Sequence, residues 1–356
     1  MTGGEAKRRI PQLDAVRGIA ILIVMVHNIS LKYPVLHSEV WAKDGWMGVD
    51  LFFALSGFLI TGILLDAKGT GKYFENFYVR RILRIWPLYY ALLLFMFVAM
   101  RFLSGTEYQK VLETSSPWWA FPLFLQNFLL PISTNAAGPL AVTWSLAIEE
   151  QFYLFWAPVV RFCSAKNLWR MAIAEMCISP ALRYFLALHQ VNLYTNVFCR
   201  LDGLMAGAVL ALLVRGKGFM AERWLRRAWI LFLGAGVLAL AAEAFGARWI
   251  VFSFTALASA GFMFVAMYSG QRWLQGLIAN RFLRYSGIIS YGLYLLHKIP
   301  FGVVQTLHLD RRAWVPFPFI LVTSYAMAAI SWNVLEKPFL RLRRFFGSPD
   351  VRSVAV

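Results

Sequence analysis

The sequence predicts an all-α, polytopic membrane protein of about ten transmembrane helices, with both termini on the cytoplasmic side. Three observations predict it. The 356 residues are 60% hydrophobic and only 15% charged, against ~25% charged in a soluble domain. With a mean hydropathy of +0.60, the excess apolar surface has to face lipid. The apolar residues come in separate stretches of about 20, the length that crosses a bilayer. The basic residues lie in short runs between those stretches, alternately rich and poor, as cytoplasmic and outer loops do.

Taken in order, the predicted spans are 12–33, 46–66, 79–103, 140–161, 168–188, 197–215, 228–245, 249–269, 286–307 and 314–335. A cytoplasmic tail, 1–10, precedes the membrane domain, 11–340, and a basic cytoplasmic tail, 341–356, follows it. The piece 104–139 holds Pro117, Pro122, Pro131 and Pro139. Its stretch Trp118 to Leu130 is too short to span and is expected at the interface, where Trp118 and Trp119 suit the headgroup level.

With the N-terminus inside, the inner segments hold Lys7, Arg8, Arg9, Lys68, Lys72, Arg80, Arg81, Arg84, Arg161, Lys166, Arg170, Arg215, Lys217, Arg223, Arg226, Arg227, Arg272, Arg281, Arg284, Lys337, Arg341, Arg343, Arg344 and Arg352. The outer segments hold Lys32, Lys43, Arg101, Lys110, Arg248, Arg311 and Arg312. This asymmetry sets the orientation and points to the cell inner membrane. It also excludes a nucleic-acid partner, because the net charge of +17 is spread over loops and forms no single patch. Cys163, Cys177 and Cys199 lack CxxC spacing and read as packing residues, with no disulfide framework and no metal site. Basic residues precede the first apolar stretch, but no small-x-small cleavage pattern follows it, so it is expected to stay as a span. No internal repeat of the inverted-transporter kind is visible.

Ionisable residues inside spans are costly and usually functional. Asp14 and Arg17 sit i, i+3 in the first span and can pair on one face. His27 lies ~15 Å further along that helix. It is either a histidine satisfied by a neighbouring helix or a proton-transfer group, since its charge changes near neutrality. Asp50 enters the second span near the outer face. Deeper in it, Ser56-Gly57 lacks the G-x-S-x-G context of a nucleophile elbow and reads as small residues for close helix packing. Arg80, Arg81 and Arg84 mark the start of the third span. They serve as positive-inside anchors or, with Arg81 and Arg84 on one face, as a phosphate site; the basic Lys68–Lys72 run is no Walker loop. In the fourth span Ser145, Glu149 and Glu150 sit near the outer part. Adjacent residues on a helix diverge, so the two glutamates do not form a dyad. Arg200 and Asp202 in span six and His297-Lys298 in span nine are further candidates, each also readable as an interhelical ion pair or a satisfied polar group.

Together these clusters resemble the acyltransferase-3 family of membrane-bound O-acyltransferases. The resemblance runs from Leu13 to about Pro338. It rests on Leu-Asp-x-x-Arg-Gly at 13–18, Gly-Val-Asp-Leu-Phe-Phe-x-Leu-Ser-Gly-Phe at 48–58, Arg-Arg-x-x-Arg-Ile-x-Pro at 80–87, Thr-Trp-Ser-Leu-x-x-Glu-Glu-Gln-Phe-Tyr at 143–153, Ser-Tyr-Gly-Leu-Tyr-Leu-Leu-His at 290–297 and Glu-Lys-Pro-Phe at 336–339. It implies ten or so helices, an acyl-CoA donor entering from the cytoplasm as co-substrate, and a hydroxyl acceptor on a saccharide or glycoside, possibly lipid-linked. It also implies roles for Arg17, His27, Arg81 and Arg84. The family places ten residues between the first-span Arg and His. Here nine intervene and Asn28 holds the usual position, which turns His27 ~80° off the Arg17 face on a regular helix. A π-bulge would restore the alignment; otherwise His27 acts from a different angle.

The implied chemistry is acyl transfer, with acetyl the first candidate. Arg81 and Arg84, with Arg80, would hold the CoA phosphates. His27 would take the acceptor proton or carry the acyl group, with His297 in reserve. Asp14 and Arg17 would orient the channel entry, and Glu149 or Glu150 and Asp50 would bind acceptor hydroxyls, with Ser145, Arg200 and His297 further candidates for substrate contact. No metal is needed. The rival readings are a transporter or flippase that uses the buried charges as a path, and a structural subunit of an envelope-synthesis complex.

Overall fold

The computed structural model describes residues 10–33, 44–102, 116–129, 138–189, 191–312 and 314–346. Lys7, Arg8, Arg9, Lys43, Lys110, Leu130, Pro131 and Arg352, nearly all of the 1–10 tail and the 347–356 part of the C-terminal tail lie outside these residues. Among the described residues every regular element is helical.

In chain order the helices are α1 (Pro11–Lys32), α2 (Met47–Ala67), α3 (Tyr73–Phe102), α4 (Thr143–Phe162), α5 (Ala165–Leu188), α6 (Leu201–Val214), α7 (Ala221–Ala244), α8 (Arg248–Tyr268), α9 (Arg272–Ala279), α10 (Arg281–Ile288), α11 (Ser290–Leu296), α12 (Ile299–Thr306) and α13 (Pro316–Ser331). The last continues through a π-helical turn, Trp332–Glu336, and a short helix, Lys337–Arg341. Among the described residues, seven helical stretches are long and apolar enough to cross a membrane: α1, α2, α3, α5, α7, α8 and the run that begins at Pro316. Their outer faces carry large apolar side chains, such as Phe185, Ile230, Val237 and Val322, open to the surroundings. Such faces belong in lipid, and the protein is a polytopic membrane protein.

Ten spans were expected, and three of the predicted places differ for separate reasons. α4 carries Glu149, Glu150 and Arg161 within 20 residues. α6 has 14 residues, because Val197–Cys199 form a 3-10 turn and Arg200 leaves the helical region before it starts. The ninth place is broken into α10, α11 and α12. Pro300 stands in the first turn of α12, where its missing N–H and its ring oppose a continuous helix through His297-Lys298.

The third helix begins at Tyr73, six residues before the expected 79. Its first turns are aromatic and dock on α4, where the Tyr73 hydroxyl donates to the Ala157 carbonyl at 2.9 Å and the Tyr78 hydroxyl to Leu154 at 3.1 Å. Arg80, Arg81 and Arg84 therefore sit inside a long helix and not at its start. Residues 118–129, expected at the interface, fold against α3 and α4. Tyr89 donates to the Phe121 carbonyl at 2.7 Å, Tyr90 to Pro122 at 2.9 Å and Gln151 to Phe124 at 2.7 Å.

Small residues set the closest crossings, as in other membrane bundles. A methyl group on Gly287 would lie 1.7 Å from the Asp14 carbonyl oxygen, and one on Gly18 2.0 Å from that of Leu283. The same holds between α2 and α6, with Gly57 against Leu204 at 1.8 Å and Gly207 against Ala54 at 2.0 Å. These crossings fix the rotation of α1 and α2, and with it the direction of Asp14, Arg17 and Ser56.

Candidate active site

Arg17 from α1 and Arg81 and Arg84 from α3 lie within electrostatic reach of one another. Arg17 Nη1 lies 3.3 Å from Asp14 Oδ1, the predicted i, i+3 pair. Arg81 and Arg84 take part in none of the ion pairs among the described residues. Arg84 lies near two rings, with its guanidinium carbon 5.9 Å from the centre of Tyr291 and 5.7 Å from that of Trp332. Arg80 points elsewhere. Its Nη2 donates to the Phe346 carbonyl at 2.7 Å, and Arg343 donates to the Arg80 carbonyl at 3.0 Å.

Glu149 joins this cluster from α4. Ser56 Oγ donates to Glu149 Oε1 at 2.5 Å, and the Tyr153 hydroxyl donates to Oε2 at 3.2 Å. Arg17 and Arg81 both act on its charge. Glu150 diverges, as adjacent helical residues must, and lies beside Trp86 of α3. The sequence reading set the glutamates apart from the arginines, near the outer part of their span. The fold brings Glu149 beside Arg17 and Arg81. Ser56, Glu149, Glu150, Arg81 and Arg84 are half-buried, and Arg17 keeps 31% of its side chain exposed. Three partly exposed guanidiniums thus gather in an apolar bundle. Cations so placed are costly unless an anion meets them, and a planar fork suits phosphate oxygens in particular.

His27 lies ten residues beyond Arg17, ~15 Å along the axis. α1 is regular α-helix over its whole length, so no π-bulge restores the family spacing. His27 instead packs on the turn that leads into α2, where a methyl group on Gly45 would meet the His27 Cβ at 2.4 Å. Asn28 Nδ2 donates to the Val24 carbonyl of its own helix at 2.9 Å.

Ser145 and His297 come together through Tyr294. Ser145 Oγ and the Tyr294 hydroxyl are 2.7 Å apart, and His297 Nδ1 lies 2.9 Å from the Tyr294 carbonyl. A carbonyl only accepts, so Nδ1 carries the proton and Nε2 keeps its lone pair. That Nε2 is buried without a hydrogen-bond partner among the described residues, and it sits at the break in the ninth segment. Asp50 and Arg200 form a separate, sealed pair, with Nη2 2.9 Å from Oδ1 and both side chains at most 2% exposed. Aromatic rings surround the guanidinium, Phe252 closest at 4.0 Å. Beside it Arg183 donates to Asp202 at 2.8 Å and to Ser253 at 2.5 Å. Arg183 was not singled out in the sequence, because a lone arginine in α5 gave no pattern.

The profile described as "Acyltransferase domain" matches residues 10–334. The chain belongs to the acyltransferase-3 family. A provisionally assigned peptidoglycan O-acetyltransferase of Bacillus subtilis, YrhL, is 30% identical over 93% of this chain and 55% of its own length. The peptidoglycan O-acetyltransferase OatA of Listeria monocytogenes is 32% identical over 42% of this chain and 24% of its own. A provisionally assigned O-acetyltransferase of Staphylococcus aureus strain COL is 27% identical over 93% of this chain and 57% of its own. At best, then, the chain spans little more than half the length of these relatives. No solved structure matches it. The profile covers all the candidate residues named above, so Arg17, His27, Arg81, Arg84, Glu149 and His297 lie within the family's shared domain. Ser56 and Tyr153 are the members of the site that the sequence reading did not assign. Tyr153 follows Glu149 by four residues and so shares its face, a signal that was available. Nothing in the sequence alone pairs Ser56 with α4.

Proposed function

We propose that the chain transfers an acyl group, acetyl in the first instance, from acyl-CoA to a hydroxyl of a saccharide or glycoside acceptor. The observation that carries this reading is the gathering of Arg17, Arg81 and Arg84, each partly exposed and within electrostatic reach of another, in the bundle. Arg81 and Arg84 hold the CoA phosphates. Arg17, steadied by Asp14, adds a third positive group, and Arg80 serves the C-terminal packing more than the donor. Glu149, held by Ser56 and Tyr153, keeps the arginine cluster from carrying an unbalanced charge. The pantetheine arm runs along α1 toward His27. There His27 takes the acceptor's hydroxyl proton, the hydroxyl oxygen attacks the thioester carbonyl, the C–S bond breaks, and CoA leaves as the thiolate that is then protonated. Ser145 and His297 lie on the acceptor side, and Glu150 borders the arginine cluster beside Trp86. Asp50 and Arg200, sealed against each other, shape that side without touching substrate.

The same reading takes ten membrane-crossing segments, with α4, α6 and the broken ninth segment inside the bundle, and both termini in the cytoplasm. Short and broken helices at membrane depth are tolerated where protein surrounds them. The protein then resides in the inner membrane, and a lipid-linked acceptor reaches it from the bilayer. Membrane vesicles supplied with acetyl-CoA labelled in the acetyl group test the proposal. Label should pass to an extractable saccharide in vesicles that contain the protein. Solute uptake without label transfer would identify a transporter instead.

A further inference from the structure

Two motifs take no part in the chemistry above: Ser-Tyr-Gly at 290–292 and Glu-Lys-Pro-Phe at 336–339. The fold brings them together around Arg84. Trp332–Glu336 form the π-helical turn, a departure from α geometry that recurs at functional sites. The turn presents Trp332 to Arg84, and Tyr291 of α11 packs near the same guanidinium. Tyr291 is itself fixed to the arginine's helix, since its hydroxyl donates to the Ile85 carbonyl at 2.6 Å.

Glu336, at the end of the turn, is 2% exposed. Ser331 donates to its Oε1 at 3.2 Å, and its Oε2 has no hydrogen-bond partner among the described residues. Among the described residues, Arg84 is the cation whose charge acts on it. Gly292 leaves room for the carboxylate, because a methyl group there would stand 3.1 Å from Glu336 Oε1. A buried carboxylate is costly without a counter-charge, and a guanidinium inside a bundle otherwise extends toward water. Each therefore holds the other in place.

We infer that Glu336 is a positioning residue for donor binding: with Tyr291, Gly292 and Trp332 it forms a socket that keeps the Arg84 guanidinium turned into the phosphate site. The inference rests on the donor-site reading above. Glu336 lies more than ion-pair distance from Arg84, so it aims the guanidinium without neutralising it, and the phosphate-binding fork stays available.

The experiment uses the full chain in lipid nanodiscs and measures acetyl-CoA KM, kcat and equilibrium binding of CoA. Glu336→Gln should raise KM and the CoA dissociation constant ~10-fold, the loss expected of a misplaced charge-assisted contact, with kcat within about twofold. Glu336→Asp should recover part of the loss. In an Arg84→Ala background Glu336→Gln should add little, because both changes act through one group. Gly292→Ala, which crowds the carboxylate from the other side, should shift KM in the same direction and serves if Glu336→Gln does not fold. An unchanged or lowered KM in the folded Glu336 and Gly292 variants, or full additivity with Arg84→Ala, overturns the socket. If Arg84→Ala itself leaves donor KM unchanged, it is the donor-site reading that fails.

Discussion

His27 and Asn28 are adjacent on α1, yet they meet different surroundings. His27 packs on Gly45 at the head of α2, and Asn28 bonds back to Val24. Asn28 stands at the family's spacing from Arg17, but its amide has no proton-accepting chemistry. His27→Ala should therefore lower kcat by ~10²–10⁴-fold with CoA binding retained, while Asn28→Ala stays mild. Single-turnover rates on the two purified variants decide it, and the reverse order would make His27 a packing residue and leave the base to His297, whose Nε2 lone pair is already set by its bond to Tyr294. Arg84→Ala should cost ~1.5–3 kcal/mol of donor binding, read as a rise in acetyl-CoA KM, and Arg84→Lys should recover only part because the planar fork is lost. At this scale the sequence showed which residue types were out of place in a membrane, and Asp14, Arg17, Arg81, Arg84 and Glu149 do converge. It did not show that Ser56 hydrogen-bonds to Glu149, because contact between α2 and α4 depends on how far each helix is rotated, which hydropathy does not record.

The helices themselves were legible wherever hydropathy alone shapes them. α1, α2, α5, α7 and α8 fall within a few residues of the predicted spans, apart from the polar first turns of α5 and α7. The departures have local causes that hydropathy windows average away: the aromatic extension of α3 onto α4, the non-helical Arg200 before α6, and Pro300 in the ninth segment. Rotation is set by the glycine crossings, and this can be tested without reference to catalysis. Gly287→Ala places a methyl 1.7 Å from the Asp14 carbonyl and should destabilise by about 1–3 kcal/mol or more, since backbone cannot yield as a side chain can. Gly276→Ala in α9 meets nothing within 4 Å and should be neutral or slightly stabilising, as alanine favours helix. Thermal unfolding of both in one detergent is the measurement, and equal melting temperatures would remove the crossing as the determinant of α1's position.

For the molecule as a whole, charge does two separate jobs. Inside the bundle it is paired or gathered: Asp50 with Arg200, Arg183 with Asp202, Asp66 with Arg215, and the arginine cluster at the donor site. In the loops and the first turns of the helices it is spread and mostly exposed, as at Lys217 and, in the start of α7, Arg223, Arg226 and Arg227, and these charges govern orientation because cytoplasmic ends and loops retain lysine and arginine. The Arg215–Asp66 pair links the two jobs. It joins the last turn of α2 to the end of α6 by two bonds of 2.9 Å, which puts both ends on one side of the membrane if both helices cross. Topology reporters fused after Lys217 and after Arg344 should then read cytoplasmic, and those after Arg248 and Arg312 should read external. The reading after Lys217 is decisive, because α6 has only 14 residues, ~21 Å of helix, less than the ~30 Å hydrocarbon core. If α6 crosses with the help of the 3-10 turn before it, Lys217 reads cytoplasmic and Arg248 external. If α6 is instead a buried helix that does not cross, the expected sidedness reverses from Lys217 onward: Lys217 reads external, Arg248 cytoplasmic, Arg312 external only if the broken segment fails to cross as well. A reversed reading at Lys217 would therefore remove α6 from the membrane-crossing set and, with it, the count of ten.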